Sequence, residues 1–131
     1  MTDTSQKIFV VQKHMAEKRG LHYDFRLEYN NVLRSWAITG NNPPPSSAGR
    51  VTMIRVDDHP LEWAEFEGSI PPGEYGAGPV EIWDKGTYIF RKKSADKKWS
   101  ITLLGNKLKG DYSVIHIRDR VYYLIKKKTN T

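Results

Sequence analysis

The sequence predicts a mostly β fold with little helix, a small single domain built as a β-barrel or sandwich. Three observations predict it. The chain has 131 residues, the size of one compact domain that buries a core without disulfide or structural metal. Short apolar runs, alternating or continuous and rich in β-branched and aromatic residues, recur along its length. Gly, Pro and Asn punctuate these runs at close spacing. Many short strands at close spacing favour a small barrel or sandwich, and closure would remove edges that invite aggregation.

After a short tail, Met1 to Lys7, the domain is expected to fill residues 8 to 131. The expected strands are Ile8 to Lys13, His22 to Glu28, Leu33 to Ile38, Val51 to Val56, Val80 to Trp83, Thr87 to Arg91, Trp99 to Leu104, Tyr112 to Ile117 and Val121 to Lys126. Asn30-Asn31 marks a tight hairpin turn, since Asn tolerates positive φ. Asp84-Lys85-Gly86, Lys109-Gly110-Asp111 and Arg118-Asp119-Arg120 read as further hairpin turns. Asn41 to Gly49 holds consecutive prolines that cannot donate to a ladder, so it is a loop. Gly68 to Pro79 is a second, Gly-rich loop, and Leu61 to Phe66 is long enough for one helical turn.

Composition narrows the function classes. There are 21 Lys plus Arg against 15 Asp plus Glu, for a net charge of +6. Residues 1 to 65 are balanced at eight and eight, while residues 66 to 131 carry thirteen and seven. An excess confined to one half points to a polyanionic partner such as nucleic acid; the plainer reading is a solvated lysine-rich face. With no cysteine, disulfide scaffolds, thiol nucleophiles and thiolate zinc sites are excluded. No apolar stretch approaches the roughly 20 residues that a bilayer demands, and no secretory signal opens the chain. The expectation is a soluble, cytoplasmic protein with no membrane partner. Gly73 to Gly78 has neither the spacing nor the following helix of a phosphate-binding loop.

The densest chemical signal is Leu21-His22-Tyr23-Asp24-Phe25-Arg26-Leu27-Glu28. On a strand, His22, Asp24, Arg26 and Glu28 share one face and the apolar set shares the other. An imidazole and a carboxylate side by side can hold a divalent metal, with Arg26 placed to neutralise a phosphate or carboxylate. The plain alternative is a solvent-facing strand with an Asp-Arg pair. His14 closes the preceding strand and returns to His22 through a turn at Arg19-Gly20, which would bring two imidazoles and one carboxylate to one metal. His59 follows a strand and precedes a Pro, where a loop can present it for proton transfer or phosphate binding. His116 lies within an apolar strand and reads as structural. Trp36, Trp63, Trp83 and Trp99 fall in or beside apolar runs and read as core, with Trp63 notable for its nearness to His59.

Several blocks in order resemble the 3′-phosphoesterase domain of bacterial DNA ligase D. They are Phe9 to His14, Leu21 to Glu28, Ser35-Trp36-Ala37, Asp57 to Trp63, Phe66-Glu67-Gly68, Ile70 to Gly73, Tyr75 to Gly78 and Ile82 to Gly86, and they span roughly residues 9 to 126. No ligase or polymerase segment is attached, so the expected form is free-standing. The resemblance implies a compact β-barrel with a metal site in a surface groove. It also implies manganese-dependent processing of DNA or RNA 3′ ends, removing a terminal ribonucleoside and then the 3′-phosphate to leave a hydroxyl. By motif, His14, His22 and Asp24 would be metal ligands, Arg26 a phosphate contact, and His59 the transition-state stabiliser or general acid. Gln12 belongs to the same block and would line the site as a phosphate or substrate contact. A second phosphate arginine is expected before the Asp-His-Pro block, either Arg50 or Arg55, with strand parity favouring Arg55. Where the family pattern has a Tyr after that block, this chain has Trp63.

Other divalent transition metals fit the same donor set, and a primer-template duplex, a repair ligase and an end-binding protein are the implied partners. Arg91-Lys92-Lys93, Lys97-Lys98 and Lys126-Lys127-Lys128 are expected to hold the duplex through its phosphates. Two other readings remain open. One is a non-catalytic basic β-barrel that binds nucleic acid. The other is a non-haem iron oxygenase using His22, Asp24 and His116.

Overall fold

The computed structural model of the protein describes residues 6–74, 77–94 and 97–128. Residues 1–5 of the expected tail, and Tyr75 and Gly76 of the Gly-rich block, lie outside the described residues. Nine strands run in order β1 (Lys7–Ala16), β2 (Gly20–Tyr29), β3 (Val32–Ile38), β4 (Gly49–His59), β5 (Gly68–Ile70), β6 (Gly78–Ser94), β7 (Lys98–Leu104), β8 (Lys109–Arg118) and β9 (Val121–Lys126). One short 3-10 helix, η1 (Leu61–Glu65), precedes β5, at the position where one helical turn was expected. The strands form a single sheet in the order β1-β2-β3-β4-β9-β8-β7-β6-β5, and a further pairing of β1 with β6 closes it into a ring. Every pairing is antiparallel. The mostly β, nearly helix-free architecture expected from the short runs is the one observed.

Alternation along the strands sets the two faces. Tyr23, Phe25 and Leu27 of β2 turn inward with Trp36 and Ile38 of β3 and with Tyr88, Trp99, Leu103 and Tyr112 to form the main core. A smaller cluster of Val10, Leu33 and Ala64 lies on the other face and seats η1 against β1 and β3. Asn30 and Asn31 adopt φ of 52° and 66°, the left-handed pair that a two-residue turn between β2 and β3 requires. Asp119, at φ 46°, turns β8 into β9. The proline loop is pinned from inside, where the Tyr112 hydroxyl donates to the Pro45 carbonyl at 2.6 Å. Burial raises the Tyr112 phenol to about 12, so it remains a donor.

Three turn and loop expectations are corrected. Asp84-Lys85-Gly86 is not a hairpin turn, because Val80 to Trp83 and Thr87 to Arg91 belong to one long strand, β6. The buried Asp84 carboxylate accepts backbone N–H groups from Asn106 (2.9 Å), Lys107 (3.2 Å) and Leu108 (2.8 Å). The turn-forming residue therefore serves the β7–β8 connection, and Gly86 is needed because any Cβ there would collide with the Leu104 carbonyl. Lys109-Gly110-Asp111 lies in β8, and the chain turns just before it. Gly110 does adopt a positive φ, 111°, and leaves the space taken by the Lys126 side chain. Within the second loop, Gly68–Ile70 pairs with Gly78–Val80 as β5.

Removing the Asp84 carboxylate orphans three donors at the β7–β8 connection. The Asp84→Ala variant is expected to lose about 3 kcal/mol of folding stability in urea denaturation. A loss below about 1 kcal/mol would show that the connection does not depend on that carboxylate.

Candidate functional site

The polar face of β2 points away from the core yet is not solvated. His22, Asp24 and Arg26 are 6%, 7% and 5% exposed. Buried polar groups of this kind must satisfy one another. The β1–β2 register sets His14 directly opposite His22 and Gln12 opposite Asp24. The two imidazole rings stand 4.8 Å apart, tilted by 56°. His22 Nε2 lies 3.3 Å from Asp24 Oδ2, and His14 Nδ1 lies 4.0 Å from the same oxygen. One donor atom from each of the three falls within 4.8 Å of the others. Two imidazole nitrogens and one carboxylate oxygen, converging and buried, are a donor set that can hold a divalent transition metal. Burial alone would raise the Asp24 carboxyl, but the hydrogen bond from His22 and the charge of Arg26 outweigh it and hold Asp24 below its ordinary value. The carboxylate is thus ionised and ready to ligate.

Arg26 ties this group to its surroundings. Its Nε donates to Gln12 Oε1 at 2.7 Å, and its Nη2 lies 3.5 Å from Asp24 Oδ2. Gln12 is fully buried behind it and donates in turn to the carbonyls of Trp63 (2.9 Å) and Phe66 (3.2 Å) at the end of η1. Arg26 Nη1 lies 3.1 Å from His59 Nδ1, which also lies 2.9 Å from the Asp57 carbonyl. A guanidinium has only protons to give and a carbonyl only lone pairs, so one nitrogen cannot serve both at once. A bare Nδ1 accepts from Arg26, whereas a protonated Nδ1 donates to Asp57. Burial first, then the Arg26 charge, push the His59 imidazole below its ordinary value, opposed by the Asp57 carbonyl.

These side chains share one wall of a groove of about 700 Å³, lined among others by His14, His22, Asp24, Arg26, His59 and Trp63. Trp63 stacks on Phe66 at 4.3 Å and stands 5.6 Å from the His59 ring. Its indole Nε1 is buried without a hydrogen-bond partner among the described residues.

Of the arginines expected before the Asp-His-Pro block, neither lines the groove. Arg50 lies at the far end of β4, over the Tyr123 ring at 4.4 Å. Arg55 pairs with Asp58 at 2.8 Å and stands 5.8 Å from the centre of the Trp36 ring. The parity argument fails for a local reason. Ser35 pairs with Val56 but Leu33 with His59, so β4 spends three residues where β3 spends two, and Arg55 and His59 part company. The groove instead receives Arg120 from the β8–β9 turn, with Lys18 and Arg19 from the β1–β2 turn. Arg120 was legible only as a turn residue; its Nη1 donates to the Arg55 carbonyl at 3.1 Å, a contact across 65 positions. His116 stacks on Tyr122 at 4.5 Å and is absent from the groove lining, which removes the oxygenase triad. Lys126, expected on the duplex-holding face, is buried, with Nζ donating to the Lys109 carbonyl.

The profile of the DNA ligase D 3′-phosphoesterase domain matches residues 12–116. The multifunctional non-homologous end joining DNA repair protein LigD of Mycobacterium tuberculosis is 47% identical over 110 residues, 82% of this chain and 14% of that protein. The multifunctional non-homologous end joining protein LigD of Pseudomonas aeruginosa is 41% identical over 128 residues, 92% of this chain and 15% of that protein. Its namesake in Mycolicibacterium smegmatis is 39% identical over 122 residues, 86% of this chain and 16% of that protein. This chain therefore spans about one-seventh of the length of the relatives it matches. A match running from Gln12 to His116 takes in every residue of the buried polar wall, His14 on β1 included, and the chain belongs to the DNA ligase D 3′-phosphoesterase domain family.

Proposed function

We propose that this protein is a metal-dependent phosphoesterase that prepares nucleic-acid 3′ ends for joining. It would remove a terminal ribonucleoside by diester cleavage and then the 3′-phosphate, leaving a hydroxyl, with manganese as the preferred ion. The observation that carries this reading is the sharing of one groove wall by a metal-capable triad, a buried guanidinium and a half-buried imidazole. The names of its relatives support a place in non-homologous end joining, alongside a repair ligase and end-binding proteins in the cytoplasm. Among the described residues no helix is long and apolar enough to cross a membrane.

A divalent ion held by His14, His22 and Asp24 would supply Lewis-acid polarisation of a phosphate oxygen. The protein's own groups do the rest. Arg26 has five N–H groups, and Gln12, Asp24 and His59 engage its three nitrogens through one each. One donor on each terminal nitrogen is left to meet the equatorial oxygens as charge builds. Because Gln12 and Asp24 hold the guanidinium plane, those donors need no reorganisation when the phosphate arrives. Burial and the Arg26 charge favour the neutral form of His59 before substrate binds. Phosphate brings negative charge beside it and raises its proton affinity, so as water attacks the phosphorus in line and the P–O bond breaks, the imidazole can pass a proton to the departing oxygen, the 5′ oxygen of the ribonucleoside in the diester step and the 3′ oxygen in the monoester step.

End-labelled primer-templates carrying a 3′-phosphate or a terminal ribonucleotide, incubated with manganese, magnesium or zinc, test the reading directly. Retention of every 3′ end under all three ions, with binding intact, would favour a non-catalytic nucleic-acid binder. His22→Ala and Asp24→Ala are each expected to lower manganese-dependent phosphate release at least about a hundredfold and to abolish the rise in melting temperature that manganese confers. Arg26→Gln is expected to keep that rise while losing about a hundredfold in turnover, which separates phosphate contact from metal binding.

The His59 imidazole is predicted to titrate below the ordinary histidine value of 6.5 in metal-free protein, because burial and Arg26 both favour its neutral form. Removing the Arg26 charge takes away one of those two causes, so Arg26→Gln moves the midpoint upward. Histidine proton resonances followed against pH give both values. An unchanged midpoint in the variant would mean that the guanidinium does not govern His59.

A further inference from the structure

A second opening lies on the opposite face of the β3–β4 sheet, inside the ring where β3 and β9 begin and β6 ends. It encloses about 200 Å³. Its walls are Trp36, Trp99 and Tyr122, and its cations are Arg34, Lys93 and Lys97. No carboxylate among the described residues lines it. Arg55, paired with Asp58, stands just outside the lining at 5.8 Å from the Trp36 ring centre. Arg34 is held in place by its stacking at 5.0 Å over Trp99 and 5.6 Å over Tyr29. Burial and the neighbouring Arg55 charge both work against the charged form of Arg34. Two donors of this lining, Arg34 Nε and Trp36 Nε1, are buried without a hydrogen-bond partner among the described residues. Unpaired buried donors are costly, and an oxyanion would satisfy them.

The same rim reaches the metal-bearing groove. Arg55 N–H donates to the Arg120 carbonyl at 2.8 Å, and Arg120 Nη1 donates to the Arg55 carbonyl at 3.1 Å. Arg120 and Asp58 line the groove, while Arg55 binds Asp58 and stands over Trp36 at the second opening. Arg120, Arg55 and Arg34 thus form a run of cations from one site to the other. A run of charge suits a polymer with regularly spaced phosphates better than a lone small anion.

We propose that this second opening is a phosphate site, in which Arg34, Lys97 and the Trp36 indole N–H hold a backbone phosphate of the nucleic-acid strand whose 3′ end occupies the metal-bearing groove. The placement of the 3′ end rests on the phosphoesterase reading above, whereas the binding of the strand does not. The site adds affinity and a preference for longer strands; the chemistry stays with the other face.

Binding and turnover are measured separately. Fluorescence anisotropy with a labelled primer-template ending in a 3′-hydroxyl tests binding without chemistry. Arg34→Gln and Lys97→Gln are each expected to weaken it about fivefold, the size of one partly exposed charge-assisted contact, and to lower the salt slope by about one. Lys97 is exposed, so its variant leaves the fold intact. Arg34→Lys is expected to restore the salt slope. In turnover, both Gln variants should raise KM for a 3′-phosphorylated duplex by the same factor while kcat, and KM for a 3′-phosphorylated dinucleotide, stay unchanged. Unaltered affinity and slope in both variants would overturn the proposal. So would an indole N–H resonance of Trp36 that shifts with inorganic phosphate but not with the duplex, which would mark a site for free anions. If the wild type processes neither substrate, the phosphoesterase reading fails while the anisotropy result still decides this one.

Discussion

The arrangement of the site depends on one buried guanidinium. Arg26 sits on a strand face with almost no access to water, and a cation there is tolerable only if its donors are engaged. Its partners come from β1, β2 and the end of β4, and through Gln12 it reaches the carbonyls that close η1. That helix has no side-chain cap at its N-terminus, so Gln12 and the small apolar cluster around Ala64 hold it in place. Buried ion pairs of this kind contribute little net stability, because desolvation offsets the attraction. What they fix is geometry. Asp24, Arg26 and His59 are held before any ligand arrives, and that is the condition under which fixed charges lower a barrier.

Much of this was legible because strand alternation is a strict code. Once Leu21 to Glu28 was read as a strand, the shared face of His22, Asp24 and Arg26 followed, and a hairpin return to His14 followed from the turn between them. The Asn30-Asn31 turn was legible for an equally local reason, since its backbone demand is written in the residue type. The illegible parts are those in which a local signal serves a distant partner. Asp84 and Gly86 carry turn chemistry, yet the carboxylate caps backbone more than twenty residues away and the glycine admits a neighbouring strand. Arg55 was misplaced because one irregularity in β4, invisible in composition, resets the alternation between it and His59. Arg120 was overlooked because only ring closure brings the β8–β9 turn to the groove.

The charge asymmetry also changes meaning in three dimensions. The excess of cations in residues 66 to 131 is not one surface. Lys126 is spent inside, over the Tyr112 ring and against a strand carbonyl, and Arg91 is tied to Thr102. Lys93 and Lys97 meet Arg34 from the balanced half at the mouth of the ring. Folding therefore regroups the cations by face and not by half.

The inner strand β3 explains how one short segment serves both faces. Its inward residues, Arg34, Trp36 and Ile38, are large, while its outward residues opposite the site, Ser35 and Ala37, are small. Ala37 pairs with Asp24 and lines the groove, so the space above the carboxylate stays open. Ser35 pairs with Arg26 but turns its hydroxyl onto the Leu33 carbonyl at 2.9 Å, and so does not compete for the guanidinium. A larger side chain at Ala37 would narrow the groove above Asp24, and a stronger acceptor at Ser35 would draw Arg26 away from His59. The shape of this wall is thus set by small residues on β3 as much as by the charged ones on β2.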